Sequence, residues 1–267
     1  MYNAEILLDS INPSGSRLTT MRVTFPRIIL AEMNTHRVFS RNVASSRAIS
    51  VERRIKEVRN NPFVPGTFGK NERGMQANTP LARIESEQAR VTWLNAADKA
   101  AEYAEELSWL GVHKQLANRI LEPFCWTTAI ISSTEWDNFF NLRDSDLAQP
   151  EMKRTAQTMR AARGASTPQE LSWYDWHVPM SDGLQHLPLK DKLLAAAGRI
   201  ARVSYESAPK TIEDDMALGQ SLLDNSHMSP FEHIAKAYAV SGTLQARNFH
   251  TGWYQYRAWI DHRLLLE

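Results

Sequence analysis

The sequence contains a single cysteine, Cys125, among its 267 residues. One cysteine excludes an internal disulfide and any metal site built from several thiolates. Cys125 lies between Phe124 and Trp126, and these apolar neighbours indicate a buried, unreactive thiol. No histidine pair has the His-x-x-x-His spacing of a zinc site on one helix face. We therefore expect no bound metal.

Long apolar runs are also missing, since no stretch approaches the roughly 20 residues that span a bilayer. The first residues contain no basic region and no signal-type apolar block. The net charge is only +1, which argues against a general nucleic-acid-binding surface. These absences predict a cytoplasmic protein with neither a membrane nor a nucleic acid as its partner.

The composition is that of a globular protein, with 43% hydrophobic and 23% charged residues. Strand patterns at Ala4 to Leu8 and through Phe25, together with a long helical pattern from Pro80 to Leu110, predict an α/β (α+β) fold. We expect most of the apolar residues of the long helix to lie in the core. We also expect one domain, residues 1–267, with a strand–helix–signature unit in 1–60, a helical part in 80–165 and a second strand–helix unit in 188–267. The loop 60–79 is a candidate substrate loop, and the aromatic residues of 164–188 favour packing.

One basic segment, from Thr35 to Arg47, carries three arginines, one histidine and several hydroxyls within thirteen residues. Its small side chains would let the backbone approach an anion closely. Arginine forks bind phosphate oxygens bidentately. The composition alone allows two interpretations, a solvated basic loop or a phosphate-binding segment.

The spacing within this segment resembles the signature of flavin-dependent thymidylate synthases. In that family Arg-His-Arg is followed by seven residues and a serine. Here Thr35-His36-Arg37 is followed by seven residues and Ser45, with Arg47 two further on. Three more blocks are similar to family blocks: Phe139-Phe140-Asn141-Leu142-Arg143 with Ala148, Gln149 and Glu151; Ala201-Arg202-Val203-Ser204-Tyr205; and Ser226-His227-Met228-Ser229-Pro230-Phe231-Glu232-His233.

The order of these blocks is unusual, because the last two precede the signature in ordinary members of the family. The pattern also predicts two strand–helix units, one from Leu18 to Arg37 and one from His233 to Arg257. In the second unit we expect a strand through Val240 and a helix from Thr243. The resemblance therefore implies a circularly permuted or partly duplicated member, with a mixed or antiparallel sheet flanked by long helices.

The resemblance implies FAD as cofactor, NADPH and methylenetetrahydrofolate as co-substrates, and dUMP or a related pyrimidine nucleotide as substrate. It implies no protein nucleophile, in agreement with the single cysteine. The flavin-binding candidates are His36, Arg37, Asn141, Arg143, Ser204, His227, Ser229 and Glu232. The nucleotide-binding candidates are Glu32, Ser45, Ser46, Arg47, Arg247 and Asn248, and the catalytic candidates are Arg37 and Arg47.

Each candidate also has a structural interpretation. His36 could be an ordinary surface or core histidine, while Asn141 and Arg143 could simply end a helix, where a basic residue is favourable. Arg247 and Asn248 could lie on an exposed polar helix face. Because family sites form between subunits, we expect a homo-oligomer, either a dimer or a tetramer.

Three departures from the family pattern leave the identity of the reaction undecided. Thr35 stands where the family has the first signature arginine, Val43 stands where it has an acidic residue, and Glu32 stands where it has a glutamine. The first hypothesis is C5 methylation of dUMP to dTMP. The second is a hydroxymethylase or another C5-modifying enzyme, because the departures fall on base and cofactor contacts. The third is a non-catalytic nucleotide-binding protein that keeps only the phosphate contact.

Overall fold

The computed structural model describes residues 1–77, 79–205, 210–239, 248–249 and 252–262. It begins with a hairpin of two antiparallel strands, β1 (Asn3–Ile11) and β2 (Arg17–Pro26). The side chain of Asn12 closes the turn, because its Oδ1 accepts hydrogen bonds from the backbone N–H groups of Ser14 at 3.0 Å and Ser16 at 3.1 Å. Gly15 has φ +80°, a conformation that glycine adopts without strain. The two predicted strands are confirmed.

This hairpin belongs to a five-stranded sheet in the order β3-β4-β2-β1-β5. The added strands are β3 (Ser40–Val43), β4 (Trp126–Ser133) and β5 (Gln169–Glu170). All neighbouring strands are antiparallel except β1 and β5, which are parallel. The sequence analysis predicts neither β3 nor β5, and it also misses the longer strand β4. Its buried Thr127, Ser132 and Ser133 hide the apolar pattern by which a covered strand is normally found.

A second, three-stranded antiparallel sheet lies in the C-terminal part of the chain. It contains β6 (Trp176–His177), β7 (Ala235–Ala237) and β8 (Trp253–Gln255). The helix expected from Thr243 is wrong over 253–255, because these residues form a strand. Residues 240–247, including Val240, lie outside the described part of the chain.

The helices surround both sheets. The α-helices are α1 (Leu30–Met33), α2 (Val51–Asn60), α3 (Arg83–Trp109), α4 (Lys114–Ala117), α5 (Asp137–Arg143), α6 (Pro150–Ala165), α7 (Leu189–Ala201), α8 (Ile212–Asp224) and α9 (Tyr256–Asp261). Short 3₁₀ helices span Arg27–Ile29, Asn118–Phe124, Arg202–Tyr205 and Ser229–His233. The mixed α/β fold with long flanking helices is therefore as the sequence predicts. None of the described helices is both long and apolar enough to cross a bilayer.

The long helix α3 is placed as predicted, but the expectation that most of its apolar residues form core holds only in part, since Trp93 and Leu107 pack against a buried cluster whereas Ile84 and Val91 are exposed. Ala97, Ala101 and Ala104 are buried against α2 and the 3₁₀ helix that follows α4. In contrast, Ile84 is 75% exposed and Trp109 is 88% exposed. The small alanines allow close packing, so the buried face of α3 is its alanine face.

Helices α7 and α8 pack closely because two glycines face the neighbouring backbone. A Cβ atom on Gly198 would lie 2.0 Å from the carbonyl oxygen of Asp215, and one on Gly219 would lie 2.1 Å from that of Leu194. The carboxylate of Asp215, which is 2% exposed, also accepts hydrogen bonds from Arg199 at 2.9 Å and Arg202 at 2.6 Å. This helix pair supports the 3₁₀ helix of Arg202–Tyr205.

A chain of buried hydrogen bonds crosses the large sheet and joins it to the second one. The Oγ of Ser10 meets Nδ1 of His177 at 2.8 Å, and Nε2 of His177 meets Oγ1 of Thr20 at 2.9 Å. Thr20 then meets Ser132 at 2.6 Å, and Ser132 meets Nδ1 of His233 at 2.8 Å. All five side chains are at most 1% exposed. Burial lowers the pKa of both histidines to about 3, so the chain is uncharged at neutral pH.

Candidate functional site

The first part of the site is a cluster formed by Glu32, Thr35, His36 and Arg143. Glu32 lies on α1, and the loop after α1 brings Thr35 and His36 to Arg143, which ends α5. Arg143 donates from Nε to Nε2 of His36 at 2.9 Å and from Nη2 to Oγ1 of Thr35 at 3.3 Å. Its Nη1 forms an ion pair with Glu32. Arginine can only donate, so Nε2 of His36 carries no proton and its proton is on Nδ1.

His36 is uncharged at neutral pH. Burial, followed by the charges of Arg143 and Arg41, lowers its pKa to about 4. The imidazole is 7% exposed and packs edge-on against Phe139, with ring centroids 4.9 Å apart. His36 therefore presents a neutral Nδ1–H donor rather than a positive charge.

The second part of the site is the 3₁₀ helix Ser229–His233, which packs beside β3. Gln255, fully buried on β8, donates from Nε2 to Oγ of Ser40 at 2.9 Å and to the carbonyl oxygen of Glu232 at 2.8 Å. The carboxylate of Glu232 forms an ion pair with Arg257. Two segments almost two hundred residues apart in the sequence thus meet.

Arg41 lies between these two parts. Its Nη1 donates to the carbonyl oxygen of His36 at 2.7 Å. Burial lowers the pKa of the Arg41 guanidinium, while the nearby charge of Glu232 raises it. An arginine stays protonated in proteins, so Arg41 places a fixed positive charge between the cluster and Glu232.

The third part of the site is the turn after β3, formed by Ser45, Ser46 and Arg47, which we call the serine turn. The backbone N–H of Ser45 donates to the carbonyl oxygen of Ser204 at 3.0 Å. Asn118 supports the turn from below, because its Nδ2 donates to the carbonyl oxygen of Ser46 at 2.8 Å. Ser204 is therefore next to the serine turn.

Ser46 differs from the expectation of a free phosphate ligand. Its side chain is buried and donates to Oε1 of Glu122 at 2.5 Å. Burial opposes ionisation of Glu122, but the hydrogen bond from Ser46 and the charges of Arg27 and Arg119 outweigh it and keep the pKa of this carboxyl below its usual range. Ser46 is thus committed to an anionic protein group, whereas Ser45 and Arg47 are not.

Arg37 and Arg47 are exposed, and within the described part of the chain neither guanidinium makes an ion pair. They flank β3, whose four residues span about 13 Å at the usual strand rise. Asn141, His227 and Ser229 are also exposed. Asn141 lies on α5, Ser229 begins the 3₁₀ helix Ser229–His233, and His227 lies two residues before that helix. Arg37 and Arg47 are thus two exposed cations in the segments that precede and follow one short strand.

Two nucleotide-binding candidates come from the end of the chain. The backbone N–H of Asn248 meets Oε1 of Gln255 at 3.4 Å, which ties Asn248 to the glutamine that joins Ser40 and Glu232. Arg247 lies outside the described residues.

Sequence reasoning missed five residues that hold the site together: Arg41, Asn118, Glu122, Gln255 and Arg257. Arg41 lies within the basic segment and could have been singled out there. The others are isolated polar residues in regions read as ordinary helix, and no local pattern distinguishes them. Among the described residues, no group of three or more histidine, cysteine, aspartate or glutamate side chains could hold a metal ion.

Comparison with known proteins identifies the family. The model of a family described as "Thymidylate synthase complementing protein" (Thy1) matches residues 18–169, more than half of the chain. The chain belongs to this family. The Thy1 match confirms the resemblance to flavin-dependent thymidylate synthases and includes the signature and the block at Phe139 to Arg143. The blocks at 201–205 and 226–233 lie outside the matched residues, so the permuted order stays a prediction.

Solved structures of two Thy1-like enzymes are similar to this chain. One is a UMP/dUMP methylase from Streptomyces cacaoi bound with 5-Br UMP, at 16% identity and a TM-score of 0.49, covering 61% of this chain and 89% of that one. The other is the flavin-dependent thymidylate synthase of Helicobacter pylori complexed with FAD and dUMP, at 23% identity and a TM-score of 0.38, covering 55% and 67%. No curated protein matches the chain. The family assignment therefore depends on the family model.

Proposed function

We propose that this Thy1 member is a flavin-dependent enzyme that modifies C5 of dUMP, with methylation to dTMP as the reaction. The observation that carries the proposal is the meeting of the signature segment with the Ser229–His233 helix, on either side of Arg41. Gln255 fixes this contact through its two hydrogen bonds. Family membership and the Thy1-like neighbours that bind FAD, UMP or dUMP support it.

The residues present are suited to FAD. A diphosphate and a reduced flavin are anionic, and Arg37 makes no ion pair within the described part of the chain. Asn141, His227 and Ser229 add exposed hydrogen-bonding groups. When bound, FAD would supply the hydride and take part in the carbon transfer, which is the part of the chemistry that a cofactor performs.

The chain's own contribution is positioning and fixed charge. Arg37 would place a positive charge beside the flavin. Arg143 is held by three partners, so its remaining surface has a fixed orientation, and it keeps His36 as a neutral donor through Nδ1–H. Glu232 and Ser204 would bound the flavin pocket from the second segment.

The nucleotide phosphate would bind at the serine turn. Ser45 and Arg47 are the ligands that the geometry leaves available, while Ser46 would first have to leave Glu122. Asn248 and Arg247 would approach the nucleotide from the end of the chain, and Glu32 from the cluster. NADPH, methylenetetrahydrofolate and assembly as a dimer or tetramer are part of the same proposal.

Hydroxymethylation of the same carbon is the second candidate. The support for this candidate is that Glu32 and Thr35 occupy positions that bind the base and the cofactor in the family. In this chain Glu32 instead forms an ion pair with Arg143, and Thr35 accepts a hydrogen bond from it. A site altered there could admit water to quench the intermediate in place of hydride.

The test begins with the visible spectrum of the purified protein after incubation with FAD. We expect flavin absorbance, followed by conversion of dUMP to a product heavier by one CH₂ group when methylenetetrahydrofolate and NADPH are added. A gain of CH₂O would favour the hydroxymethylase. A protein that takes up no flavin and still binds dUMP would instead be a non-catalytic nucleotide-binding protein.

A further inference from the structure

The carboxylate of Glu122 contacts the serine turn, and three groups surround a single one of its oxygens. Its Oε1 accepts hydrogen bonds from Oγ of Ser46 at 2.5 Å and from Nη1 of Arg119 at 2.8 Å. Nε of Arg27 lies 2.9 Å from the same oxygen. Burial opposes ionisation of Glu122, but the hydrogen bond from Ser46 and the charges of both arginines keep its pKa below the usual range. A full anion therefore occupies this position at neutral pH.

The groups around Glu122 are of the kinds that also bind phosphate. Guanidinium and hydroxyl groups form charge-assisted hydrogen bonds to carboxylate and phosphate oxygens alike. Within the described part of the chain, Glu122 is the single carboxylate that pairs with Arg27 or Arg119. A phosphate that took the place of Glu122 would therefore meet the same donors without a competing anion.

Arg27 is anchored next to the serine turn, and its contact with Glu122 is incomplete. Its side chain is 9% exposed, and its Nη1 donates to the carbonyl oxygen of Ala44, directly before the turn, at 3.1 Å. Its Nε is buried and has no well-directed acceptor among the described residues, although Glu122 is close. A buried N–H without a hydrogen bond is unfavourable, so Glu122 does not satisfy this donor in full.

The backbone of the serine turn has a support other than Glu122. Asn118 lies four residues earlier on the same 3₁₀ helix, and its Nδ2 donates to the carbonyl oxygens of Ser46 at 2.8 Å and Ile49 at 2.9 Å. Asn118 is 1% exposed, whereas the side chain of Glu122 is 25% exposed. The carboxylate of Glu122 can therefore move into solvent while Asn118 keeps the turn in place.

We propose that Ser46, Arg27 and Arg119 form an oxyanion site that extends the serine turn, and that a nucleotide phosphate enters it by displacing the carboxylate of Glu122. This inference rests on the proposed function, because it adds binding residues to the phosphate site proposed at the turn. A phosphate monoester offers three acceptor oxygens, against the two of a carboxylate. It can therefore take over the contacts of Glu122 and still accept from the rest of the serine turn. Glu122 then acts as an internal competitor that lowers the affinity for phosphate.

The removal of Glu122 has opposite effects under the two roles that the geometry allows. If Glu122 only supports the serine turn, its loss disorders the turn and weakens the binding of phosphate. If Glu122 occupies the phosphate site, its loss frees Ser46 and both arginines, and the binding of phosphate becomes tighter. The sign of the change in affinity decides between the two roles.

The experiment measures the binding of dUMP and of inorganic phosphate to the full chain by calorimetry. The variants are E122Q and a matched control, E105Q, which removes the charge of a glutamate that pairs with Arg59 at 3.0 Å on the surface of α3. We expect E122Q to bind both anions at least fivefold more tightly than the parent, and E105Q to bind them as the parent does. The double variant E122Q/S46A should lose most of this gain, because the freed hydroxyl is one of the new donors.

Equal or weaker binding of both anions by folded E122Q overturns the proposal, and so does a gain that E122Q/S46A keeps in full. A parent that binds no dUMP counts against the proposed function instead. Inorganic phosphate then decides the present inference alone, since tighter binding by E122Q supports it and unchanged or absent binding overturns it. If E122Q does not fold, E122D takes its place, because the shorter side chain withdraws the carboxylate from Ser46, and the same results support or overturn the proposal.

Discussion

Acid should destabilise this protein strongly through the buried hydrogen-bond chain. Burial lowers the pKa of His177 and His233 to about 3, whereas in the unfolded chain both have the ordinary value of about 6.5. Below that value the unfolded state binds protons that the folded state does not, so the free energy of unfolding falls as the pH falls. The loss begins near pH 6.5 and ends near pH 3.

The magnitude follows from linkage. One group that is protonated only in the unfolded state contributes about 1.4 kcal/mol per pH unit. Two histidines therefore remove roughly 4–5 kcal/mol between pH 6.5 and 4.5, a large part of the 5–15 kcal/mol typical of a domain. His36, whose pKa is lowered to about 4, adds to the loss over pH 6.5 to 4.

Urea unfolding at half-unit steps from pH 7.5 to 4.5 measures this slope. His177→Gln keeps a polar side chain but removes one titrating group, so its slope should be smaller by about one third to one half. His186→Gln, at an exposed position, serves as the matched control and should keep the parent slope. An unfolding free energy that stays constant from pH 6.5 to 5 would refute the reasoning.

Three further predictions concern packing, nucleotide binding and the state of His36. Gly198→Ala should lower the unfolding free energy by about 1–3 kcal/mol, measured by urea unfolding, because its Cβ would overlap the carbonyl oxygen of Asp215; an unchanged midpoint would contradict the close helix contact. Arg47→Ala should weaken dUMP binding by about 1.5–3 kcal/mol, measured by calorimetry, and equal affinity would remove Arg47 from the site. Arg143→Ala should raise the pKa of His36 toward its ordinary value, followed by NMR titration, because the variant removes a nearby charge and the donor to Nε2. An unshifted titration would show that Arg143 does not control the histidine.

Much of the fold could be read from local patterns. The hairpin follows from strand alternation and an Asn-Pro-Ser-Gly turn, and the long helix from its apolar spacing. The alanines of α3 show the limit, since spacing does not tell which apolar residues face the core. β4 could not be found because threonine and serine occupy buried positions there, and only the neighbouring strands make those positions favourable.

The candidate site was predictable where a motif of fixed spacing exists and not elsewhere. The signature predicts His36 as a site residue, and the block from Phe139 to Arg143 predicts Arg143. The structure joins these two side chains by a hydrogen bond. The bond between Ser46 and Glu122 depends on two segments that are far apart in the sequence, and no local pattern reports such a pairing. The same holds for Gln255.

Gln255 has a consequence for how this protein is made. The glutamine that fastens Ser40 to Glu232 is synthesised more than two hundred residues after the signature. When the basic segment Thr35 to Arg47 has left the ribosome, Gln255 has not yet been synthesised. The hydrogen bonds that join Ser40 to Glu232 through Gln255 therefore cannot form at that stage. Ligand binding should therefore emerge late and abruptly during synthesis, once β8 has docked, rather than growing with chain length.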